Sequence, residues 1–382
     1  MKALRKLLDT IKPHVSKGGK FEKFHSTFDA FETLLFVPDK TNKSGVHVRD
    51  SIDMKRTMIM VVMALVPALL FGIWNTGYQH FLVQGVEADF WQSFGHGLIK
   101  VLPIIIVSYV TGLAIEFAFA QIRGHEVSEG FLVSGMLIPL VLPVDIPLWM
   151  VAVATAFAVI IGKEVFGGSG MNIWNPALLA RAFLFFAYPA HMSGDLVWIS
   201  GFSAMEGVDA TTGATALAAA AQGNIGDFSI WSSFIGTIPG SIGETSVIAI
   251  LLGAALLIYT GIGSWKIMFS VFAGGYIMGF IFNLVGANDL MQVDALHHLF
   301  LGGFAFGAVF MATDPVSGSR TETGKWIYGF LIGIFAILIR VFNPAYPEGM
   351  MLAILLLNTF APLIDHYVVQ SNIKRRLKRA VV

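Results

Sequence analysis

Residues 130–162 read GFLVSGMLIPLVLPVDIPLWMVAVATAFAVIIG, two apolar segments separated by Pro139, Pro143 and Pro147. Neither segment comfortably reaches the roughly 17–25 apolar residues needed to cross about 30 Å of hydrocarbon. Short spans interrupted by Gly or Pro are tolerated in a membrane only where their backbone lines a protein-filled or wet interior. The stretches 130–143 and 147–162 therefore predict a polytopic membrane protein in which these two broken segments help to form a site.

Working outward, eight further apolar stretches lie near 57–75, 98–121, 176–190, 245–260, 267–286, 296–313, 326–342 and 349–367. The bulk composition agrees. Of 382 residues, 55% are hydrophobic and 13% charged, with 40 Gly; soluble domains carry about a quarter charged residues, and Gly is frequent in membrane helices. The fold class expected is all-α, with about ten transmembrane helices. Residues 1–55 read as a polar arm with one amphipathic helix and no cleavable leader. Residues 56–370 form the membrane domain, and 371–382 a basic tail.

Lys and Arg set the orientation. Twelve of the 25 precede the first span and five close the chain, from Lys374 to Arg379. Arg123, Lys163, Lys266, Arg320 and Lys325 fall in the even-numbered turns, so 22 of the 25 share one side, which must be the cytoplasm. Lys100, Arg181 and Arg340 fall within spans. Both termini are then cytoplasmic, and the loop 191–244, free of Lys and Arg, faces outward. A faint echo links Gly130 to Asn175-Pro176-Ala177 with Gly303 to Asn343-Pro344-Ala345. Five spans per half would invert one copy against the other, as in many transporters.

Cysteine is absent, which excludes disulfides, thiolate zinc sites and cysteine-held iron–sulfur clusters on this chain. Redox chemistry here would need an organic cofactor, or a metal held by other ligands. The outer loop contains Asp209-Ala210-Thr211-Thr212-Gly213-Ala214-Thr215. Taken alone, Thr-Gly-Ala-Thr is a small-residue turn with a threonine suited to capping a helix.

Longer blocks change that weighing. They include His47-Val48-Arg49-Asp50, Gly162-Lys163-Glu164-Val165-Phe166-Gly167-Gly168 and Arg181-Ala182-Phe183-Leu184-Phe185-Phe186. Ser193-Gly194-Asp195-Leu196-Val197-Trp198, Met311-Ala312-Thr313-Asp314-Pro315 and Asn343-Pro344-Ala345-Tyr346-Pro347-Glu348-Gly349-Met350-Met351 follow. Over nearly its full length the chain resembles the B-type membrane subunits of the sodium-translocating NADH:quinone oxidoreductases (Na+-NQR). The resemblance implies FMN joined through a phosphoester to Thr215, with Gly213 and Ala214 giving room to a flavin transferase. Asp209-Ala210 stands where the family's attachment pattern has Asp-Gly. It also implies a second, non-covalent flavin, riboflavin, whose contacts the sequence does not assign. Partners implied are five other subunits, quinone, Na+ and membrane lipid in a bacterial inner membrane. The Rnf ferredoxin:NAD oxidoreductases have a related subunit, and redox-free transporters such as the urea transporters share an inverted-repeat plan.

Ionisable groups within spans are functional candidates by default. Glu116, Asp314 and Asp365 are the acids for a sodium path, with helix capping or pairing to Arg as the plainer reading. Gly167-Gly168-Ser169-Gly170 could cradle an anion or simply turn the chain, the turn being favoured. His297-His298 does not have metal-ligand spacing and is expected at a membrane interface; no metal site is assigned. The run Lys374-Arg375-Arg376 suits anionic lipid rather than nucleic acid.

Overall fold

The computed structural model describes residues 2–15, 54–123, 130–202, 213–343 and 348–380, with isolated positions between 28 and 48. His47, Arg49, Asp50, Asp209 to Thr212 and Pro344 to Pro347 lie outside the described residues. Among the described residues the chain is helical throughout and has no strand.

Every one of the ten apolar stretches is helical. After α1 (Lys2–Val15) come α2 (Met54–Val83), α3 (Phe90–Arg123), α4 (Phe131–Leu140), α5 (Leu148–Ile160) and α6 (Pro176–Ala187). Two short helices in the long loop, α7 (Ala216–Ala221) and α8 (Ile230–Ile235), precede α9 (Val247–Tyr259) and α10 (Trp265–Val285). The chain ends with α11 (Ala295–Phe300), α12 (Glu322–Phe342) and α13 (Met350–Ala380). Among the described residues, six segments are long and apolar enough to cross a membrane alone. At 1.5 Å per residue, α4 covers only about 15 Å and α6 and α9 about 18–20 Å. The stretch expected as one span over 296–313 is broken into α11, a single turn at Phe304–Phe306 and a π-helical turn over Gly307–Met311. Broken segments are therefore more numerous than the prolines indicate.

The two halves repeat one another. In the first, α3 packs on α4 and α5, and α5 on α6; in the second, α10 packs on α11 and α12, and α12 on α13. The correspondence reaches single residues. Phe131 drives its ring into a notch at Gly112 of α3, where a Cβ would stand 1.8 Å from Cζ. Phe304 does the same at Gly275 of α10, where a Cβ would stand 2.4 Å from Cζ. Only glycine leaves space for these rings.

Broken helices leave carbonyls that no water can satisfy in hydrocarbon. Here the halves satisfy one another. Gly243 N–H donates to Leu140 O at 2.7 Å, and Ile242 N–H to Leu142 O at 3.2 Å. The end of α4 thus bonds to the segment that leads into α9, and this junction fixes Glu244. The basic tail expected as a separate unit is instead the continuation of α13, 31 residues or about 46 Å long.

Candidate functional site

Thr215 is the N-cap of α7. Its Oγ1 accepts a hydrogen bond from Ala218 N–H at 3.2 Å, so the hydroxyl is held by the local turn chemistry that favours threonine there. Ala214 is buried. Gly213 is needed for space, since a Cβ would lie 2.1 Å from the carbonyl oxygen of Asp195. The three residues of the small-residue motif are thereby pinned against the segment 193–198.

Thr215 opens on a cavity of about 410 Å³, within the range of small-molecule sites. Its wall carries Ser193, Asp195, Trp198 and Ser241, and its floor Arg181, Glu244 and Glu348. Arg181 projects from α6, whose start is fixed by Asn175: its Oδ1 accepts from Ala177 N–H at 2.9 Å, and Pro176 occupies the first turn. Nη1 of Arg181 donates to Glu244 Oε1 at 2.7 Å, and Nη2 donates to Glu348 Oε2 and to Ser241 Oγ. Arg181 and Glu244 are buried and Glu348 nearly so. One guanidinium from the first half therefore holds two carboxylates that precede helices of the second. Arg340, fully buried in α12, lies behind them, donating to the carbonyl oxygens of His298 at 2.5 Å and Leu301 at 3.0 Å.

A second, smaller cavity of about 170 Å³ is lined by Gly130, Lys163, Ser169, Asn172, Thr313 and Asp314, among others. By sequence Lys163 belongs to a solvated turn. It is instead 4% exposed, because its ammonium reaches into the bundle to donate to Glu116 Oε1. The other Glu116 oxygen has no partner among the described residues. Asp314 accepts from Ser317 Oγ at 2.6 Å and Val316 N–H at 3.2 Å. Two of the three expected acids, Asp314 directly and Glu116 through Lys163, thus meet at one cavity. Asp365 stands apart, where it accepts from Ser319 Oγ, Arg320 N–H, and both N–H and Oγ1 of Thr321. It closes the turn that starts α12.

Gly167, Gly168 and Gly170 all have left-handed backbone, and a Cβ on Gly168 would stand about 4 Å from the Glu164 carboxylate. A turn facing an acid is a turn, not an anion cradle. The histidines are buried within the protein: His297 and His298 are 5% and 0% exposed, bonded to Ser233 Oγ and Leu290 O, each at 3.0 Å. Sequence reasoning misses Arg181, Glu244 and Glu348 as a unit. The available signal is an arginine inside a span, which demands a partner.

A many-helix membrane chain is what the resemblance implies, and comparison with known proteins decides the family. The model of the NQR2, RnfD, RnfE family matches residues 41–374. The chain belongs to the NQR2, RnfD, RnfE family. Among its relatives, the B-type subunit of the Na(+)-translocating NADH-quinone reductase of Stutzerimonas stutzeri is 49% identical, over 99% of this chain and 100% of the relative. The corresponding subunit of Chromohalobacter salexigens is 48% identical over 98% and 96%, and that of Pseudomonas aeruginosa 47% over 98% and 99%. Within the NQR2, RnfD, RnfE family, these relatives bear the name of the quinone enzyme, and this chain is likewise a subunit of an enzyme of that kind.

Proposed function

We propose that this chain is the flavin-bearing membrane subunit of a sodium-translocating NADH:quinone oxidoreductase, carrying FMN through a phosphoester on Thr215 Oγ1. The observation that carries the reading is the placement of that hydroxyl: half-buried, immobilised as an N-cap, and opening on a cavity of about 410 Å³. The residues present fit the group. Trp198 offers an aromatic face, and Ser193 and Ser241 offer hydroxyls. An oxygen esterified on its far side can still accept from Ala218 N–H. Bound there, FMN would supply transfer of electrons singly or in pairs. The protein's own part is to fix the attachment point, to shield the cavity and to set its charge through Arg181, Glu244 and Glu348.

For the second, non-covalent flavin, riboflavin, we propose the smaller cavity, where Lys163, Ser169 and Asn172 supply polar groups. Ser169 Oγ is buried without a partner among the described residues. At about 170 Å³ that cavity must widen to take a ring system. Its acids, Asp314 and Glu116, are then also the candidates for passing Na+, a hard cation suited to oxygen ligands. Electrons would come from NADH through the five other subunits and leave to quinone, and Na+ would move outward against about 2.3 kcal/mol per charge per 100 mV. The charge distribution supports cytoplasmic termini and an outward Thr215 loop, where a flavin transferase could reach it. The names of the relatives favour the quinone enzyme over the Rnf complex.

Intact mass and peptide mapping of the chain purified from its native membrane test the attachment. FMN less one water is expected on the peptide holding Thr215 and is lost in Thr215→Ala. An unmodified native chain would overturn the reading.

A further inference from the structure

In the cavity that Thr215 lines, the two carboxyl groups on Arg181 also converge on one another. An ionised carboxylate can only accept. Two buried carboxyls brought this close do not both stay ionised, and a hydrogen on one lets it donate to the other. Gly303 shows how tightly they converge, for a Cβ there would stand 2.5 Å from Glu244 Oε1 and 2.8 Å from Glu348 Oε1.

We infer that Glu244 and Glu348 share one proton and form a proton-binding site on the floor of the cavity beside Thr215. An independent observation points the same way. Thr245, next to Glu244 on the cavity wall, is 6% exposed, and its Oγ1 has no hydrogen-bond partner among the described residues. A hydroxyl both donates and accepts, so it stands beside the pair with both capacities unused, ready for a group that enters the cavity. The charged and titratable groups facing the pair are few. Arg181 comes from α6, Arg340 from α12 with His298 of α11 behind it, and Asp195 from the opposite wall. Arg340 spends its donors on the carbonyls of His298, Leu301 and Glu348. Arg181 is the guanidinium that bonds the carboxyls themselves; Arg340 adds positive charge from behind without bonding either carboxyl, and the close approach of the two acids is what calls for the shared hydrogen.

The site's use rests on the flavin reading above. One electron from NADH oxidation, placed on the group in the cavity, adds one negative charge. That charge is matched by one proton drawn from water onto the pair, which then holds two; reoxidation returns the electron onward and the proton to water.

Infrared spectroscopy of the purified complex tests this without reference to turnover. At neutral pH, a protonated-carboxyl C=O band that shifts in D2O is expected in wild type, and is lost in both Glu244→Gln and Glu348→Gln. Thr245→Val, which keeps the pair, should shift that band without removing it. Spectra of either glutamine variant identical to wild type in this region would overturn the shared proton. If neither variant assembles, wild type labelled with 13C-glutamate decides: the acid band must move with the label, and a band that stays sinks the proposal. The redox link reads separately, as a reduced-minus-oxidised acid signal. A chain lacking FMN by mass would lose that signal yet keep the band, so failure of the flavin reading is distinguishable from failure of the proton site.

Discussion

Gly213 and Asp195 touch so closely that a methyl group on Gly213 would stand 2.1 Å from the Asp195 carbonyl oxygen. Backbone offers no rotamer with which to yield. Gly213→Ala must therefore displace Thr215 or the 193–198 segment, at a cost of about 1–3 kcal/mol typical of overpacking. The share of chains carrying FMN, read by intact mass, should fall several-fold while the total amount of assembled protein changes less. Full incorporation in Gly213→Ala would refute the role given to this contact.

On the proposed function Thr215 has two tasks, bearing the flavin and capping α7, that substitution can separate. Thr215→Ser keeps the hydroxyl and the cap, so the mass adduct should persist. Thr215→Ala loses both, and the loss of the cap alone costs about 1 kcal/mol. A small fall in the melting temperature of the detergent-purified protein should accompany the missing adduct, and should be absent in Thr215→Ser.

The Arg181 cluster is asymmetric in what it tolerates. Arg181→Met leaves Glu244 and Glu348 in contact with no guanidinium, and breaking a buried pair in this way costs about 3–5 kcal/mol. Yield of the folded subunit should collapse. Adding Glu244→Gln and Glu348→Gln to Arg181→Met should recover much of it. Triple and single variants of equal yield would show that the charges do not couple.

Glu116 and Lys163 invite the same test at the second cavity. Lys163→Met strands a buried carboxylate, while Lys163→Met with Glu116→Gln leaves two neutral side chains. We expect the double variant to be clearly more stable than Lys163→Met, by a coupling of about 1–3 kcal/mol. Additive effects in thermal melts would exclude the pairing.

Hydrophobic length carries most of the fold in the sequence, because a span of apolar residues has one outcome in a bilayer. Thus 57–75 and 267–286 are visible as helices without any neighbour. Periodicity and hydropathy are blind to the breaks in the eighth span, since Gly302, Gly303 and the π turn differ from a straight helix only through what they pack against. The site is legible unevenly. Glu116 is conspicuous by depth, yet its partner Lys163, 47 positions away, looks like a turn residue. Arg181 finds Glu244 and Glu348 at separations of 63 and 167 residues, and no local pattern encodes such a meeting. Thr215 itself comes from resemblance; its spacing alone marks nothing more than a cap.

The hydrogen bonds from Gly243 to Leu140 and from Ile242 to Leu142 bear on how cargo could cross. Many transporters rock one repeat against the other. Here such a tilt would have to break two backbone hydrogen bonds away from water, each stranded group costing several kcal/mol. These two hydrogen bonds stitch the halves at their waist and oppose such a tilt. Whatever opens and closes along the route must then be small: side chains and short turns beside the two cavities, moving within a scaffold that stays still.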